Sequence, residues 1–324
     1  MAVALLNWNG KHLLHQFLPS VVKFSKGAGI YVIDNASEDD SIDFLRSTYP
    51  EIKIIKLKAN LGYAGGYNEG IKHISEPLVC CLNTDIEVTN NWLNPILACF
   101  NSNPNIAIAQ PKLLDYRAKN KFEYAGAAGG FIDRLGYPYC RGRIVNSIEE
   151  DLGQYNDSRT IFWASGACFF IRKKVFETLG GFDPDFFAHM EEIDLCWRAF
   201  NAGYKTAYIG YSTVYHVGGS TLSNRNAKKT YLNFRNSLYT LIKNSPYPLL
   251  LILSRLVLDG LAGLNFIIKF QVRHAFAIIK AHLSFYRHLP IMIKKRRQTA
   301  QKSKDYYESS SIIWQYYVRK RKNF

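Results

Sequence analysis

A regular alternation of short apolar segments with amphipathic segments runs through the first two hundred residues and constrains the fold most strongly. The apolar segments predict strands at 3–8, 29–34, 52–57, 78–82 and 106–110, with helix-like stretches between them. Strands that alternate with helices in this way form parallel sheets covered by helices on both faces. The sequence therefore predicts an α/β fold with a Rossmann-like, mostly parallel sheet.

Polar side chains stand at or just beyond the ends of four of these apolar segments. They are Asn7, Asp34, Asn60 and Asp85, and the run before Asp85 contains the apolar stretch PLVCCL. In open α/β sheets ligands bind at the carboxyl ends of the strands. Core packing does not require four polar residues there, so we expect them to converge on one ligand-binding rim.

A glycine-rich stretch, NLGYAGGYNEG at 60–70, follows the third predicted strand. Gly65 and Gly66 would allow a nucleotide to approach the backbone, and the following helix would offer its N-terminus to phosphate. The same glycines would also suit a strand-to-helix turn that needs small residues. Asp34 could equally bind the ribose of NAD, but no G-x-G-x-x-G follows the first strand, where the chain reads NWNGKH. Nucleotide-sugar binding is the favoured interpretation.

The chain is strongly basic, with 41 Lys and Arg against 26 Asp and Glu and a formal net charge of +15. Such a charge favours nucleic acid, an anionic membrane or phosphorylated substrates as partners. From Lys294 to the end there are ten basic residues against two acidic ones, a net charge of +8. A nucleic-acid-binding protein would instead interleave basic residues with aromatics across its folded part. The pattern predicts an anchor for an anionic membrane surface, and no nucleic acid is expected.

The composition changes after Asn226, and the stretch 248–270 is nearly apolar enough and long enough to span a bilayer. Arg255 and Asp259 lie inside it, and each would cost roughly 2.5–3.5 kcal/mol at the centre of an inserted helix. Helices that lie at the membrane interface are favoured, and a true span is the alternative. We therefore predict two regions, a catalytic domain at 1–225 and a helical, basic, membrane-associating region at 226–324.

The six cysteines contain no C-x-x-C pair and no histidine partners at zinc spacing. Several lie in apolar runs, which is typical of reduced cysteines that pack as small hydrophobic residues. The first ten residues, MAVALLNWNG, have no basic segment and no cleavage site of a signal peptide. We expect a cytoplasmic protein that associates peripherally with the inner face of the cytoplasmic membrane.

Seven segments of the chain match motifs of one enzyme family in the family's order. They are NWNG (7–10), VIDNASEDDS (32–41), NLGYAGGYNEG (60–70), LNTDIEV (82–88), SGACFFIRKKVFETLGGFDPDFF (165–187), EEIDLCWRAFNAGYK (191–205) and YHVGGS (215–220). The chain resembles the family 2 glycosyltransferases of the GT-A fold, and more narrowly their bacterial rhamnosyltransferase-like members. The resemblance covers roughly residues 2 to 225.

The resemblance implies a donor and metal site on the strand-end rim. Asp85 matches the last position of the family's D-x-D motif, which here reads N-T-D, and it would bind Mg²⁺ or Mn²⁺ together with His216. Asp34 would bind the nucleobase. A turn-capping role for Asp85 and a structural role for His216 are the alternatives. The full set of implied nucleotide-sugar-binding residues is Asn7, Asn9, Asp34, Asn60, Gly62, Gly65, Gly66, Asn68, Asn83 and Asp85.

The resemblance also implies a general base in the acidic pair Glu191 and Glu192, with Glu192 favoured. The alternative is that both acids only complement the dipole of the helix they begin. Trp163, Gly166 and Ala167 fall on the family's acceptor side, although Trp163 could equally pack in the core.

The implied function is inverting, metal-dependent transfer of a sugar, with rhamnose favoured, from a nucleotide-diphosphate sugar to a glycan acceptor. A lipid-linked acceptor used in cell-surface polysaccharide synthesis suits the predicted membrane association. A sugar-nucleotide nucleotidyltransferase is the alternative enzyme, and it would need a phosphate loop rich in glycine and arginine after the first strand. A basic nucleic-acid-binding protein is the alternative outside enzymes.

Overall fold

The computed structural model describes residues 1–218, 226–298 and 302–324. The strands are β1 (Ala2–Asn7), β2 (Gly29–Asp34), β3 (Lys53–Lys56), β4 (Leu78–Leu82), β5 (Ile86–Val88), β6 (Ile106–Asp115), β7 (Gly130–Ile132), β8 (Pro138–Cys140), β9 (Arg143–Ile144), β10 (Ser147–Ile148), β11 (Ser158–Ile161), β12 (Cys168–Arg172) and β13 (Lys205–His216). The helices are α1 (Lys11–Phe24), α2 (Ser41–Thr48), α3 (Gly62–Ile71), α4 (Leu93–Ser102), α5 (Lys173–Thr178), α6 (Glu191–Asn201), α7 (Ala227–Asn244), α8 (Pro248–Ile268), α9 (Val272–Arg297) and α10 (Ile312–Tyr317), with a 3₁₀ turn at Pro184–Phe186.

The central sheet confirms the predicted α/β fold. Its strand order is β11-β13-β6-β12-β4-β1-β2-β3, and β5 pairs with β13 outside this path. Neighbours β3, β2, β1 and β4 are parallel, whereas β12 runs antiparallel to both β4 and β6. Strand β13 is parallel to β6, and β5 and β11 are antiparallel to β13. Six of the nine strands therefore point the same way.

The sheet is covered on both faces because alternate residues of each strand point in opposite directions. In β1, Ala2 and Ala4 join the apolar core that includes α3, α6 and α7. Val3 and Leu5 join the second core, under α1, α2 and α4. Burial on both faces explains why the inner strands read as continuous apolar runs.

The register of the inner strands places their polar ends on one rim. Asn7 pairs with Asp34 at the ends of β1 and β2, and Leu5 pairs with Leu82 at the end of β4. The segment that carries Asp85 therefore leaves the sheet beside Asn7.

The C-terminal segment packs on the catalytic domain and is not a detached basic tail. The ring of Tyr306 lies 5.0 Å from that of Trp197, and the ring of Phe324 lies 5.2 Å from that of Phe131. Two of the ten basic residues counted in the tail are also structural. Lys295 pairs with the carboxylate of Asp185 at 2.8 Å, and Arg296 donates to backbone carbonyls at the end of α7. The boundary at 225/226 stays a prediction, since residues 219–225 lie outside the described ranges.

Candidate active site

The loops that follow β1 and β2 are tied together by polar side chains. Asn7 Nδ2 donates to Asp34 Oδ1 at 3.3 Å and to Ser37 Oγ at 3.1 Å, and the Ser37 amide donates to Asp34 Oδ2. Asn9 joins them, because its amide donates to Ser37 Oγ and its Oδ1 accepts from the Glu38 amide. We predict that Asn7, Asn9 and Asp34 bind the nucleotide sugar. These hydrogen bonds hold them in place on the rim before any ligand binds.

Asn35, which sequence reasoning missed, organises the glycine-rich turn. Its side chain is buried, and its Nδ2 donates to Asn60 Oδ1 at 2.9 Å and to the carbonyl of Gly62 at 3.1 Å. Asn60 Oδ1 also accepts from the Gly62 amide. Two protein groups therefore already donate to the side-chain oxygen of Asn60, and the part of Asn60 in nucleotide-sugar binding stays a prediction.

The prediction that α3 offers a free N-terminus to phosphate is wrong. The amides of Leu61, Gly62 and Tyr63 donate to Asn35 Oδ1, Asn60 Oδ1 and the carbonyl of residue 187. Gly62 has a φ of +70°, and a Cβ there would lie 2.8 Å from that same carbonyl. Glycine is needed at this position because the turn meets the loop before α6.

Gly65, Gly66 and Asn68 have packing roles in the structure, and their approach to a nucleotide stays a prediction. A Cβ on Gly66 would lie 2.7 Å from a methyl carbon of Leu6, and a Cβ on Gly65 would lie 2.8 Å from the preceding turn of its own helix. Asn68 donates to the Phe182 carbonyl at 2.7 Å and accepts from the Phe182 amide at 2.8 Å. The small residues therefore let α3 lie against β1, and Asn68 holds a loop.

Asp85 and His216 meet because β5 pairs with the end of β13. His216 pairs with Ile86 in that ladder, and the Val217 amide donates to the Asp85 carbonyl at 3.1 Å. His216 Nε2 lies 3.2 Å from Asp85 Oδ1, and both side chains are buried. The juxtaposition of Asp85 with His216 is the one the family resemblance implied.

Glu123 lies on the other side of the imidazole and was not found from the sequence. Its Oε1 is 3.3 Å from His216 Nδ1, although the two atoms are not aligned as a hydrogen bond. Burial alone would lower the pKa of His216, but Asp85 and Glu123 together raise it to about 10. Two carboxylates that favour a proton on the ring also favour a cation beside it.

The Asp85–His216 pair suits a divalent cation. Two adjacent ligands of an octahedral Mg²⁺ or Mn²⁺ stand about 3 Å apart, close to the observed 3.2 Å. A carboxylate behind the imidazole, here Glu123, is the usual partner that orients a metal-binding histidine. The described residues contain no group of three or more His, Cys, Asp or Glu side chains placed to hold a metal. The remaining ligands would therefore come from substrate and water.

The two acids at the start of α6 have different environments. Glu191 is buried, and burial together with the charge of Glu192 raises its pKa well above the usual range. Glu192 is partly exposed, and burial of its carboxyl raises its pKa to about 7. Glu192 therefore titrates where a general base is most useful, whereas burial and the charge of Glu192 favour the protonated form of Glu191. The difference favours Glu192 over Glu191 as the base.

The backbone before these acids is strained. Phe187, His189 and Met190 have φ values of +64°, +69° and +72°. Positive φ is costly for bulky residues and persists only where the surroundings impose it. Such strain clusters at functional sites, and here it fixes the direction in which α6 begins.

Helix α7 holds this strained loop. Asn236 is fully buried, and its Nδ2 lies 2.7–3.0 Å from three backbone carbonyls of residues 186–189. Arg235 donates to the carbonyls of Asp185 and Phe186. Neither residue could be found from the sequence, because α7 lies outside the matched motifs.

The loop that carries Asp85 and the start of α6 both border residues 166–167. The amide of Asn83 donates to the Ala167 carbonyl at 2.9 Å, and a Cβ on the neighbouring Gly166 would lie 3.9 Å from Glu192 Cβ. Lys229 is a second link between the surroundings of His216 and the loop before α6. Its charge lowers the pKa of His189, and the charge of Glu123 acts on Lys229 in turn.

Trp163 is corrected to a core residue. It is 3% exposed, its Nε1 donates to the Phe131 carbonyl at 2.8 Å, and its ring covers Gly130. A buried ring cannot stack on a sugar. The acceptor-side assignments of Gly166 and Ala167 stay predictions.

Unsatisfied polar atoms concentrate at this site. Ten buried side-chain nitrogen or oxygen atoms of the described residues have no hydrogen-bond partner. Five of them belong to the rim: Asn7 Oδ1, His189 Nε2, Glu191 Oε2, Glu192 Oε2 and His216 Nδ1. Buried polar atoms without partners are rare and call for an explanation, and a polar ligand supplies one.

A family model described as glycosyl transferase family 2 matches residues 3–180, more than half of the chain. The chain belongs to this family. It is therefore a glycosyltransferase, and the nucleotidyltransferase alternative is set aside. Of the YHVGGS motif, Gly219 and Ser220 lie outside the described residues.

Curated relatives support the rhamnosyltransferase-like subgroup. An N-acetylglucosaminyl-diphospho-decaprenol L-rhamnosyltransferase of Mycobacterium tuberculosis is 25% identical over 66% of this chain and 74% of its own length. A dTDP-rhamnosyl transferase, RfbF of Shigella flexneri, is 24% identical over 70% of this chain and 75% of its own. The hexosyltransferase Agl10 of Haloferax volcanii is 26% identical over 55% of each chain.

Solved structures share the fold at low sequence identity. GalNAc-T7, solved with UDP, GalNAc and Mn²⁺, gives a TM-score of 0.58 at 16% identity over 76% of this chain and 48% of its own. The mannosyltransferase PcManGT of Pyrobaculum calidifontis, solved with GDP-Man and Mn²⁺, gives 0.51 at 13% identity over 92% and 72%. These likenesses establish a GT-A-like arrangement of the sheet and its helices.

Proposed function

We propose that this glycosyltransferase is inverting and depends on a divalent cation. It moves a sugar, with rhamnose favoured, from a nucleotide-diphosphate donor to a hydroxyl of a lipid-linked glycan acceptor in cell-surface polysaccharide synthesis. The observation that carries the proposal is the buried Asp85–His216 pair on the same rim as Glu192. The relatives named for rhamnosyl transfer support the choice of sugar and acceptor.

Asp85 and His216 would hold Mg²⁺ or Mn²⁺. When bound, the cation offsets the negative charge that builds on the departing diphosphate. Glu123 keeps the imidazole oriented so that Nε2 faces Asp85. The carboxylates of Asp85 and Glu123 are in place before substrate arrives, so they need not reorganise during the reaction.

Glu192 would remove the proton of the acceptor hydroxyl. The acceptor oxygen then forms a bond to the anomeric carbon as the bond from that carbon to the diphosphate oxygen breaks, and the proton stays on Glu192. Half-buried Glu192, with its pKa near 7, is partly ionised at neutral pH and still basic enough to accept a proton. Attack opposite the leaving group inverts the anomeric centre.

The nucleoside would lie over the ends of β1 and β2. Asn7 Oδ1 is buried there without a partner, beside the carboxylate of Asp34. An amide oxygen and a carboxylate can accept hydrogen bonds from a nucleobase or ribose. We propose that Asn7 and Asp34 together recognise the nucleoside.

The proposed location is the inner face of the cytoplasmic membrane. A relative is named for an acceptor built on decaprenol, a membrane lipid. Among the described helices, α8 is the one whose length and composition would allow it to cross a bilayer. A lipid-linked acceptor and a membrane-associated enzyme would meet at the same surface.

The test is a panel of nucleotide-diphosphate sugars incubated with the purified chain and Mn²⁺. We expect slow hydrolysis of one donor, loss of that hydrolysis in Asp85→Ala, and protection of the chain by that donor against thermal unfolding. Asp40→Ala is the matched control, since Asp40 is exposed in the loop between β2 and α2 and its carboxylate pairs only with Lys11 among the described residues. Survival of every donor, with no thermal protection, would contradict the proposal.

A further inference from the structure

The outer face of the α8–α9 hairpin is apolar and exposed. Along α8 the leucines at 249, 250, 253, 256, 261 and 264 are each about half to three-quarters exposed. Phe270, at the turn between the helices, is 93% exposed. Soluble proteins rarely leave such a large apolar surface in contact with water, so this face has a partner.

Helix α9 continues the apolar face as one stripe. Val272, Phe276, Ile279, Leu283 and Tyr286 are all exposed and recur at intervals of three or four residues. This spacing places them on one side of the helix. Its opposite side, with Ala275, Ile278, Ala281 and Phe285 among its buried residues, packs inward.

A basic stripe runs beside the apolar one. Arg273, Lys280, Arg287 and Lys294 are exposed and stand seven residues apart, so they line one edge of α9. Asp259 is the sole acidic residue in the sequence between positions 248 and 298, and it is buried. In the part of the chain that the structure describes, none of the four forms an ion pair. The stripe therefore presents uncompensated positive charge.

Helix α8 has the length of a membrane span, yet its centre is attached to the protein. Its 21 residues extend about 31 Å, close to the thickness of a bilayer core. Arg255 Nε donates to Asp259 Oδ1 at 2.9 Å, and Arg255 Nη1 donates to Ser237 Oγ of α7. His282 of α9 lies 3.0 Å from the other Asp259 oxygen. Tyr137 of the catalytic domain contacts both Arg255 and Asp259.

This buried network excludes lipid from the inner side of α8. A helix whose central charged residues bond to α7, α9 and the catalytic domain cannot also be surrounded by acyl chains at that depth. Its outer face remains open. The geometry fits a helix pair that lies on a membrane, with apolar side chains in the acyl boundary and basic side chains at the headgroups.

We propose that the α8–α9 hairpin binds flat on an anionic lipid bilayer through the apolar face of both helices and the basic stripe of α9. The inference deepens the membrane location proposed above, but its test needs neither donor nor acceptor. The hairpin also packs on α7, whose Asn236 holds the loop before Glu192. Membrane docking would therefore place the active site at a fixed height above the lipid surface.

The experiment is flotation of the full chain with vesicles of phosphatidylcholine alone or mixed with phosphatidylglycerol. We expect flotation with the anionic vesicles, weaker flotation with neutral ones, and a decrease with added salt. Replacing the four basic residues of the stripe by Gln should lower the partition coefficient by about fivefold per residue, roughly a hundredfold or more in total.

Charged substitutions on the apolar face test whether vesicle binding depends on the hairpin or on any exposed hydrophobic residue. The double variant Leu253→Glu with Phe276→Glu should lose flotation by more than tenfold, since two exposed side chains of the apolar face become charged. Leu152→Glu is the matched control, because Leu152 is 84% exposed on the catalytic domain. Circular dichroism and thermal unfolding confirm that each variant is folded. Equal loss in Leu152→Glu, or no loss in the double variant, would overturn the proposal.

Three further outcomes would replace the bilayer surface by another arrangement. Labelling of Arg273→Cys by a membrane-impermeant maleimide distinguishes lying from spanning. Position 273, beside the turn, would lie at the headgroups on the protein's own side in the flat arrangement and on the far side in a spanning hairpin. A dimer that forms without vesicles and is lost in Leu253→Glu with Phe276→Glu would assign the face to a second copy. Retention of single-stranded nucleic acid on filters by the basic stripe, without flotation, would assign it to nucleic acid. Three results together support the proposal: the maleimide labels the cysteine from the protein's own side, the chain is a monomer without vesicles, and the filters retain no nucleic acid.

Discussion

The strand-end rim and the outer face of the α8–α9 hairpin are unfavourable in water for opposite reasons. The rim buries polar atoms that have no partner, such as Asn7 Oδ1 and Glu192 Oε2. The hairpin exposes apolar side chains, with Phe270 almost entirely in solvent. A buried polar atom without a partner calls for a polar ligand, and an exposed apolar surface calls for an apolar one. One chain thus shows two kinds of missing partner, a charged donor and a lipid surface.

The two regions are nevertheless connected through α7. Its Asn236 holds the strained loop before the acidic pair, while Ser237, the next residue, bonds to Arg255 of α8. If each region binds its own ligand, substitutions in one should leave the other's binding unchanged, and substitutions in α7 should affect catalysis through the loop that α7 holds.

The largest expected effect is that of Glu192→Gln on the rim. Removal of a general base lowers kcat by about 10² to 10⁴-fold, whereas flotation with anionic vesicles should not change. The pH profile gives a second readout. The pKa of Glu192 is raised to about 7, so the active, ionised form grows and the rate rises as pH increases through about 7. This limb should disappear in Glu192→Gln.

Glu191→Gln is the matched control for that prediction. Burial and the charge of Glu192 raise the pKa of the Glu191 carboxyl well above the usual range and so favour the neutral form, for which an amide of the same shape is a close substitute. A collapse of kcat in Glu191→Gln with a normal rate in Glu192→Gln would reverse the assignment of the base.

On the hairpin side, Asp259→Ala should give the largest loss of stability. It leaves the buried guanidinium of Arg255 without its carboxylate, which costs about 3–5 kcal/mol. Thermal unfolding measures the change. Replacing Arg255 and Asp259 together by Leu should cost less, because no charge is then left buried. An equal Tm for Asp259→Ala and the parent chain would mean that the network does not attach α8 to the protein.

Asn236→Ala should have an intermediate effect on catalysis. It leaves three backbone carbonyls without their shared donor and lets the loop of residues 187–190 relax. We expect kcat to fall by about 10 to 100-fold, because misplacement of a catalytic group by about 1 Å has that cost. Donor KM should stay within about twofold, since the donor residues lie on other loops.

Asn201→Ala is the control for Asn236→Ala. Asn201 is also buried and bonds the Asn244 carbonyl of α7, but it lies at the far end of α6 from Glu192. A role in stability alone would lower Tm in both variants and reduce kcat in neither at a temperature where both are folded.

The sequence predicted those parts of the fold that local patterns encode. Apolar runs located β1 to β4 within one or two residues, whereas β6 continues five residues beyond its predicted end. The strand-end polar residues Asn7, Asp34 and Asp85 do lie on one rim. Strand direction was not predictable for β12, because an apolar run has the same pattern whichever way it points. The bonds of Asn60 to Asn35 and of Asn68 to Phe182 could not be predicted, since hydrogen bonds to residues distant in the chain leave no local pattern.

The residues that were missed act over long separations in the chain. Glu123 reaches His216 across about ninety residues, and Asn236 reaches the loop of residues 186–189 across about fifty. Both are ordinary polar residues in segments without a motif. Only the folded chain shows that one lies behind the imidazole and the other beneath the strained loop.

The smallest expected effect is that of Lys229→Gln, which tests whether the rim has a cationic side besides the metal pair. Lys229 is half-buried and lies within electrostatic reach of both Glu123 and His189. A lysine there would bind a donor phosphate through a charge-assisted hydrogen bond. We expect a rise in donor KM of about three to tenfold, with kcat lowered less and vesicle flotation unchanged. Lys228→Gln, which removes the neighbouring charge over the Phe187 ring, should have a smaller effect on KM. If Lys229→Gln instead weakens flotation and leaves KM alone, then this charge belongs to the membrane-facing region and the separation of the two surfaces fails at α7.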